Sequence, residues 1–324
     1  MSNLRLTLAC GDYDLTRALI DGSVRPDGID LTVLTMPSPE RHWRAMRFEE
    51  FDVAELSMSD FLVAHCAGRA FTAIPVFPHR RFRHSFIFCR NDGSVNRPED
   101  LNGGRIGLRT FQTTAGVWMR GILADDYGLD PASIQWYTQD EEALEWEPPA
   151  WLHVQRVSEG DNIERMLLDG ELDALIYPEN LPSFVRGDPR VRRLFAQPKD
   201  IERDYFQRTG NFPIMHTVVI RNAILDAAPW VSVSVLRAFR EAKEQCYRRL
   251  ADPRQTALAW VQDLLEEQRA LMGPDPWPYS LEANRGALGT LIRYAHAQGM
   301  IPREPALEDL FAPNALSESP RYLG

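Results

Sequence analysis

Cysteine is scarce in this chain. Cys10, Cys66, Cys89 and Cys246 are scattered through 324 residues, with no CxxC pair and no Cys/His ligand spacing. That excludes a zinc knuckle and a disulfide framework, and it fits reduced, half-buried thiols of a cytoplasmic protein. Long apolar runs are missing too, and no stretch approaches membrane-spanning length. The opening residues, Met1 to Cys10, pass straight into alternating apolar positions without a basic segment and a long apolar core. No secretory signal is expected, and the expected location is cytoplasmic. Positive charge is in deficit, 36 Lys and Arg against 46 Asp and Glu, for a net charge of −10. Neither nucleic acid nor membrane is expected as a partner, since both need clustered basic residues. No internal repeat and no low-complexity tract interrupts a composition that is 44% hydrophobic and 25% charged, that of an ordinary globular protein.

Against that acidic background one stretch stands out, Pro75-Val-Phe-Pro-His-Arg-Arg-Phe-Arg-His-Ser-Phe-Ile-Phe-Cys-Arg90. His79, Arg80, Arg81, Arg83 and His84 crowd together just before Ser85–Arg90, which reads as an aromatic, β-branched strand. Arginine offers a bidentate fork for a carboxylate, and histidine exchanges protons near neutral pH. The same run also fits a solvated loop whose arginines pair with surface acids. Arg80 and Arg81 cannot both face inward where side chains alternate, so at least one belongs to the surface.

The order of elements predicts an α/β fold. Strands are expected at Leu4–Cys10, Ile29–Thr35, Asp52–Ser57 and Phe71–Phe77, with helices Leu15–Asp21, Glu40–Glu50 and Asp60–Ala67 between them. The second helix is read from the spacing of Trp43, Met46 and Phe48. After a polar connection at Asn91–Asn102, a second α/β unit begins with the strand Arg105–Leu108, the loop Arg109–Gly116 and the helix Val117–Tyr127. Thr113 and Thr114 at that helix start fit either an anion site assisted by Arg109 or plain capping. Thr138–Pro149 reads as an acidic loop or lid whose spacing matches no EF-type metal loop. His153–Val157 and Leu172–Tyr177 read as strands, Ile163–Asp169 as a helix and Pro182–Arg203 as irregular. Phe212–Arg221 is the last strand. The helices Pro229–Leu250, Pro253–Met272 and Leu281–Gln298 complete a helical C-terminal part.

This pattern predicts two lobes, the second inserted in the first: residues 1–90, then 91–211 as the inserted lobe, then 212–324 returning to the first. Ligands of such sheets bind at the carboxyl ends of strands, so the expectation is a central cleft. The rule gathers Asp12, Tyr13, Glu55, Ser57, His79 to His84, Arg109 to Thr114, Tyr177, Glu179 and His216.

Asp52-Val-Ala-Glu-Leu-Ser57, Ile74 to His84, Tyr177-Pro-Glu179, Asp275-Pro-Trp-Pro-Tyr-Ser-Leu-Glu-Ala-Asn-Arg285, Gln298-Gly299 and Leu310-Phe-Ala-Pro313 together resemble the 4,5-dihydroxyphthalate decarboxylase family. The resemblance covers nearly the whole chain. It implies the type II periplasmic-binding-protein fold, used by a cytoplasmic enzyme, and non-oxidative decarboxylation of an aromatic dicarboxylate without an organic cofactor. The implied reaction takes 4,5-dihydroxyphthalate to 3,4-dihydroxybenzoate and CO2. The implied partner is a small aromatic carboxylate.

Loss of CO2 from a phenolic acid needs a proton on the ring carbon bearing the carboxylate, with the charge relieved through the para hydroxyl. It calls for a proton donor, a base at the hydroxyl and a cationic clamp for the second carboxylate. The candidates are His84 or His216 as donor, Glu55 as base, and Arg83 with Arg109 as clamp. His79, Arg81, Ser57, Thr113, Thr114, Tyr177 and Glu179 are candidate substrate contacts. Glu55 also fits helix capping or pairing with an arginine, and His216 fits a satisfied core histidine. A divalent metal on His79, His84, Glu55 and His216 is chemically conceivable, but no spacing requires it, and no metal is expected. The rival function is a cytoplasmic solute-binding or sensory protein that captures an aromatic carboxylate without chemistry. Amphipathic helices in the last third point to a homo-oligomer.

Overall fold

The computed structural model describes residues 3–318 and divides the chain into two compact units. The first unit runs to Arg80, resumes at His216–Leu288 and includes the chain from Pro305. The second comprises Arg81–Met215 and Gly289–Glu304.

In chain order the elements are β1 (Leu4–Cys10), α1 (Arg17–Ile20), β2 (Ile29–Thr35), α2 (Ser38–Phe48), β3 (Val53–Ser57), α3 (Met58–Cys66) and β4 (Phe71–Ile74). There follow β5 (Ile87–Arg90), β6 (Arg105–Leu108), α4 (Thr114–Tyr127), β7 (Gln135–Thr138), β8 (His153–Arg156), α5 (Ile163–Asp169) and β9 (Ala174–Ile176). The rest are α6 (Pro182–Val185), β10 (Val191–Arg193), α7 (Pro198–Thr209), β11 (His216–Arg221), α8 (Asn222–Ala227), α9 (Val231–Ala251), α10 (Val261–Met272), α11 (Arg285–Ala297) and α12 (Pro313–Leu316).

The first unit holds a sheet of order β2-β1-β3-β11-β4. β1 runs parallel to β2 and β3, whereas β11 is antiparallel to both β3 and β4. Every residue of β3 is buried, the mark of a central strand covered on both faces. Apolar side chains of β1, β3, β4, β11 and α9 form one core, including Leu6, Leu8, Val53, Ile74, Val218, Ile220, Leu236 and Phe239. β4 stops at Ile74 because Pro75 has no N–H to continue the ladder. Near the chain end, Phe311 bridges to Ala73 and the Ala312 N–H donates to the Ala73 carbonyl at 2.8 Å, which extends that sheet edge.

The second unit holds a sheet of order β10-β5-β9-β6-β7-β8. β9, β6, β7 and β8 run parallel, and β5 is antiparallel to its neighbours β9 and β10. Residues 182–203, expected to be irregular, instead form α6, β10 and α7. Pro182 and Pro198 occupy first-turn helix positions, where a missing N–H costs nothing, so they start helices here. The helix expected over Pro253–Met272 is also divided. Asp252 accepts the Arg254 N–H and closes a single turn, and α10 begins only at Val261. Among the described residues no helix is long and apolar enough to cross a membrane.

Candidate functional site

The first unit assembles a polar constellation around Glu55, which is fully buried in β3. Four donors converge on its carboxylate. The Gly11 N–H donates to Oε2 at 2.7 Å and the Tyr13 hydroxyl to Oε1 at 2.9 Å. Arg41 Nη2 lies 3.1 Å from Oε1, and His216 Nδ1 lies 2.5 Å from the same oxygen. Arg41 is itself fully buried and is held by the Glu55 and Met36 carbonyls and by the Ser38 hydroxyl. A carboxylate buried on this scale must be paired and hydrogen-bonded, and this one is both.

Local sequence explains each placement. Glu55 faces Val218 across the β3–β11 ladder, and His216 lies two residues from Val218, so both side chains point to one face. Gly11 follows β1 directly, and a Cβ there would overlap the Tyr13 ring; only glycine allows Tyr13 to reach Glu55. The His216 N–H donates to the His79 carbonyl at 3.2 Å, which draws the start of the basic stretch alongside β11.

Two further imidazoles flank His216. The His79 ring centroid is 4.6 Å away at 75°, and the His42 centroid is 4.8 Å away at 88°. His79 also lies 5.7 Å from the Tyr13 ring. His79 and Tyr13 are half-buried, whereas His42 on α2 is buried, with Nε2 lacking any hydrogen-bond partner. Burial holds the His42 pKa well below the ordinary histidine value, and the neighbouring His216 and Arg41 push it the same way.

Of the sequence candidates, Glu55, His216 and His79 lie together in this unit, and Ser57 lies close by, opposite His216 in the ladder. Ser57 caps α3, accepting the Asp60 N–H at 3.4 Å. Arg41 and His42 were missed. The face of α2 read from Trp43, Met46 and Phe48 is not the buried one: Arg41, His42, Ala45 and Met46 point inward, and Phe48 is 68% exposed. The only available signal was the recurrence of Arg41, Ala45 and His42, Met46 at helical spacing.

The remaining candidates belong to the second unit. His84 is completely buried between Phe195 and Tyr205, with neither ring nitrogen bonded. Burial lowers its pKa to about 4. Arg83, 2% exposed, donates to the Pro178 carbonyl at 2.7 Å and to Met215 Sδ at 3.0 Å, with no carboxylate in ion-pair reach among the described residues. Burial lowers its pKa to about 9, aided by Arg81 and opposed by Glu179 and Glu202. Arg81 and Glu179 are exposed, and the Arg81 guanidinium lies 5.3 Å from the Phe86 ring. Arg80 turns inward and donates to Asn284 Oδ1 at 2.8 Å.

At the loop before α4, Arg109 pairs with Asp140 at 2.6 Å, and Tyr177 is a further hydrogen-bond partner. The Phe111 and Gln112 N–H groups donate to the Glu142 carboxylate at 2.6 and 3.1 Å. The acidic segment after β7 thus supplies its own carboxylates to this loop. Thr113 is the residue before α4 and makes no side-chain cap; its hydroxyl donates to the Thr110 carbonyl at 2.9 Å, while Thr114 is buried as the first helical residue. Among the described residues, no three His, Cys, Asp or Glu side chains are grouped to hold a metal ion.

No family model matches the chain. It is 36% identical over 325 residues to the 4,5-dihydroxyphthalate decarboxylase of Comamonas testosteroni, covering 98% of both proteins. It is also 36% identical over 214 residues to the protein of the same name from Pseudomonas putida, covering 64% of this chain and 83% of that one. Among solved structures it resembles the periplasmic aliphatic sulphonate binding protein of Escherichia coli, with a TM-score of 0.57 at 13% identity over 98% of this chain and 100% of the other. It also resembles the ligand binding component of an ABC-type import system from Staphylococcus aureus, with a TM-score of 0.58 at 10% identity over 99% of this chain and 100% of the other. The fold is that of the periplasmic binding proteins.

Proposed function

The chain belongs to the 4,5-dihydroxyphthalate decarboxylase family, and from that premise we propose that it is a carboxy-lyase converting 4,5-dihydroxyphthalate to 3,4-dihydroxybenzoate and CO2. The observation that carries the chemistry is the Glu55–His216 pair, with Oε1 and Nδ1 2.5 Å apart. A buried carboxylate on Nδ1 fixes the ring orientation and faces the imidazolium when His216 is protonated, and the transferred proton is carried on Nε2.

His216 is accordingly the proton donor to the ring carbon that bears the departing carboxylate. As the proton arrives, the para hydroxyl releases electron density into the ring. The C–C bond then breaks, its electron pair restores aromaticity, and CO2 leaves. His216 is left neutral and recovers a proton from solvent. Glu55, enclosed by four donors, orients His216; it is not the base at a substrate hydroxyl. His84 is assigned to the core, because its bare ring nitrogens sit among aromatics. Within the second unit, Arg83 is the proposed anion-binding cation, buried and with no carboxylate in ion-pair reach among the described residues. These side chains fill the donor and orienting roles, so neither an organic cofactor nor a metal is invoked. A cytoplasmic homo-oligomer is the proposed form.

The test is CO2 release from purified protein given 4,5-dihydroxyphthalate, with the product identified by mass. Turnover that vanishes in His216→Gln supports the reading. Saturable binding without CO2 would replace it with ligand capture.

A further inference from the structure

Once Glu55 is committed to orienting His216, the reaction still lacks a group at the ring hydroxyl. Of the two buried imidazoles that the mechanism has not used, His84 is packed among aromatics in the second unit, whereas His42 lies beside His216. The His42 Nε2 has no hydrogen-bond partner, although its neighbours Arg41, Glu55 and His216 are densely bonded. The His42 ring stands edge-on to the proposed proton donor, 4.8 Å between centroids.

Leaving a buried imidazole nitrogen unbonded is costly, and beside a proton donor at the half-buried edge of a polar constellation a ligand can complete the bond. We propose that His42 Nε2 accepts a hydrogen bond from a ring hydroxyl of the substrate, making His42 the residue that selects hydroxylated over bare aromatic dicarboxylates. The inference rests on the decarboxylase reading of this constellation. Burial and the adjacent Arg41 and His216 keep the ring neutral, so an acceptor nitrogen is present throughout the neutral range. A site built around such a bond rejects the analogue lacking the hydroxyl, because the buried nitrogen then stays unpaired. His79 and Tyr13, half-buried beside His216 and Glu55, show that solvent reaches the edge of the constellation.

The experiment is calorimetric binding of 4,5-dihydroxyphthalate and of phthalate, which has no ring hydroxyl, to wild type, His42→Leu and His42→Gln. The expected result is a loss of roughly tenfold in affinity for the dihydroxy ligand in His42→Leu, with phthalate binding unchanged and partial recovery in His42→Gln. His42→Leu should also melt higher than wild type, since it removes an unbonded buried nitrogen; a merely structural histidine would melt lower when replaced. Equal weakening of both ligands, or no weakening of either, overturns the inference even if wild type releases CO2. Binding of neither ligand by wild type removes the decarboxylase reading and this inference together. Selective weakening in a protein that binds but releases no CO2 keeps the role of His42 and removes only the catalysis.

Discussion

His216 Nδ1 meets Glu55 Oε1 at 2.5 Å between two antiparallel strands, while Arg41 Nη2 holds the same oxygen at 3.1 Å from a helix. The carboxylate is thus shared between a permanent cation and a titratable ring. Glu55→Gln should lower kcat by about 10²–10⁴-fold with little change in KM, because it removes the anion facing the imidazolium. His216→Gln should lower kcat at least as much. Glu55→Gln should in addition destabilise the fold by about 3–5 kcal/mol, since Arg41 is left buried without its anion. Steady-state kinetics and thermal melts of the two variants check this. Normal turnover in His216→Gln would remove the proposed donor.

Arg83 contrasts with Arg41: both are buried, but among the described residues Arg41 has a carboxylate partner and Arg83 has none in ion-pair reach. An uncompensated buried guanidinium opposes folding, and it persists where anion binding requires it. Arg83→Met should therefore raise the unfolding free energy by about 1 kcal/mol or more while weakening the dicarboxylate ligand at least tenfold. A variant that unfolds more easily and binds normally would show that Arg83 only supports the chain through the Pro178 carbonyl and Met215.

Part of this was legible in the sequence, and the reasons are local. β1, β2, β6 and α5 match their expected bounds because alternation or helical spacing ran up to a turn residue or a glycine. The family resemblance and the fold were also readable. Glu55 and His216 were recognisable as candidates, but their pairing was not. It depends on the register that sets His216 opposite Ser57, between residues 161 positions apart. Arg41 and His42 were hidden because hydrophobic spacing assigns a helix its buried face, and here that face carries charge. The grouping of Arg109 with the substrate residues overlooked Asp140 and Glu142, whose approach to the loop depends on the path of the acidic segment after β7.

Chelation tests the assignment of all proton handling to side chains. Protein dialysed against a strong chelator should release CO2 at the rate of untreated protein, and added Mn2+ or Zn2+ should not raise it. The reason is positional: Glu55 is already engaged by Gly11, Tyr13, Arg41 and His216, so its oxygens are committed to donors. A rate that falls with the chelator and returns with one metal would overturn the side-chain-only chemistry.

The buried His84 makes stability depend on acid. Its pKa is pushed down to about 4 by burial, below the ordinary value of 6.5 that the unfolded chain shows. Between those values the unfolded chain binds the extra proton and the folded one does not, so unfolding is favoured as pH falls. Stability is complete above about 6.5 and declines as pH falls toward about 4, by roughly 3 kcal/mol for this group at 1.36 kcal/mol per pKa unit. His42 is displaced in the same direction and adds to the slope. Replacing His84 by Leu should flatten the dependence in this window without abolishing it, because His42 remains. Denaturant unfolding of wild type and His84→Leu at pH 7.5, 6, 5 and 4.5 measures it. The same variant should retain activity at pH 7.5, since His84 is packed between Phe195 and Tyr205 and has no assigned step. Activity lost together with an unchanged pH slope would return His84 to the role of proton donor.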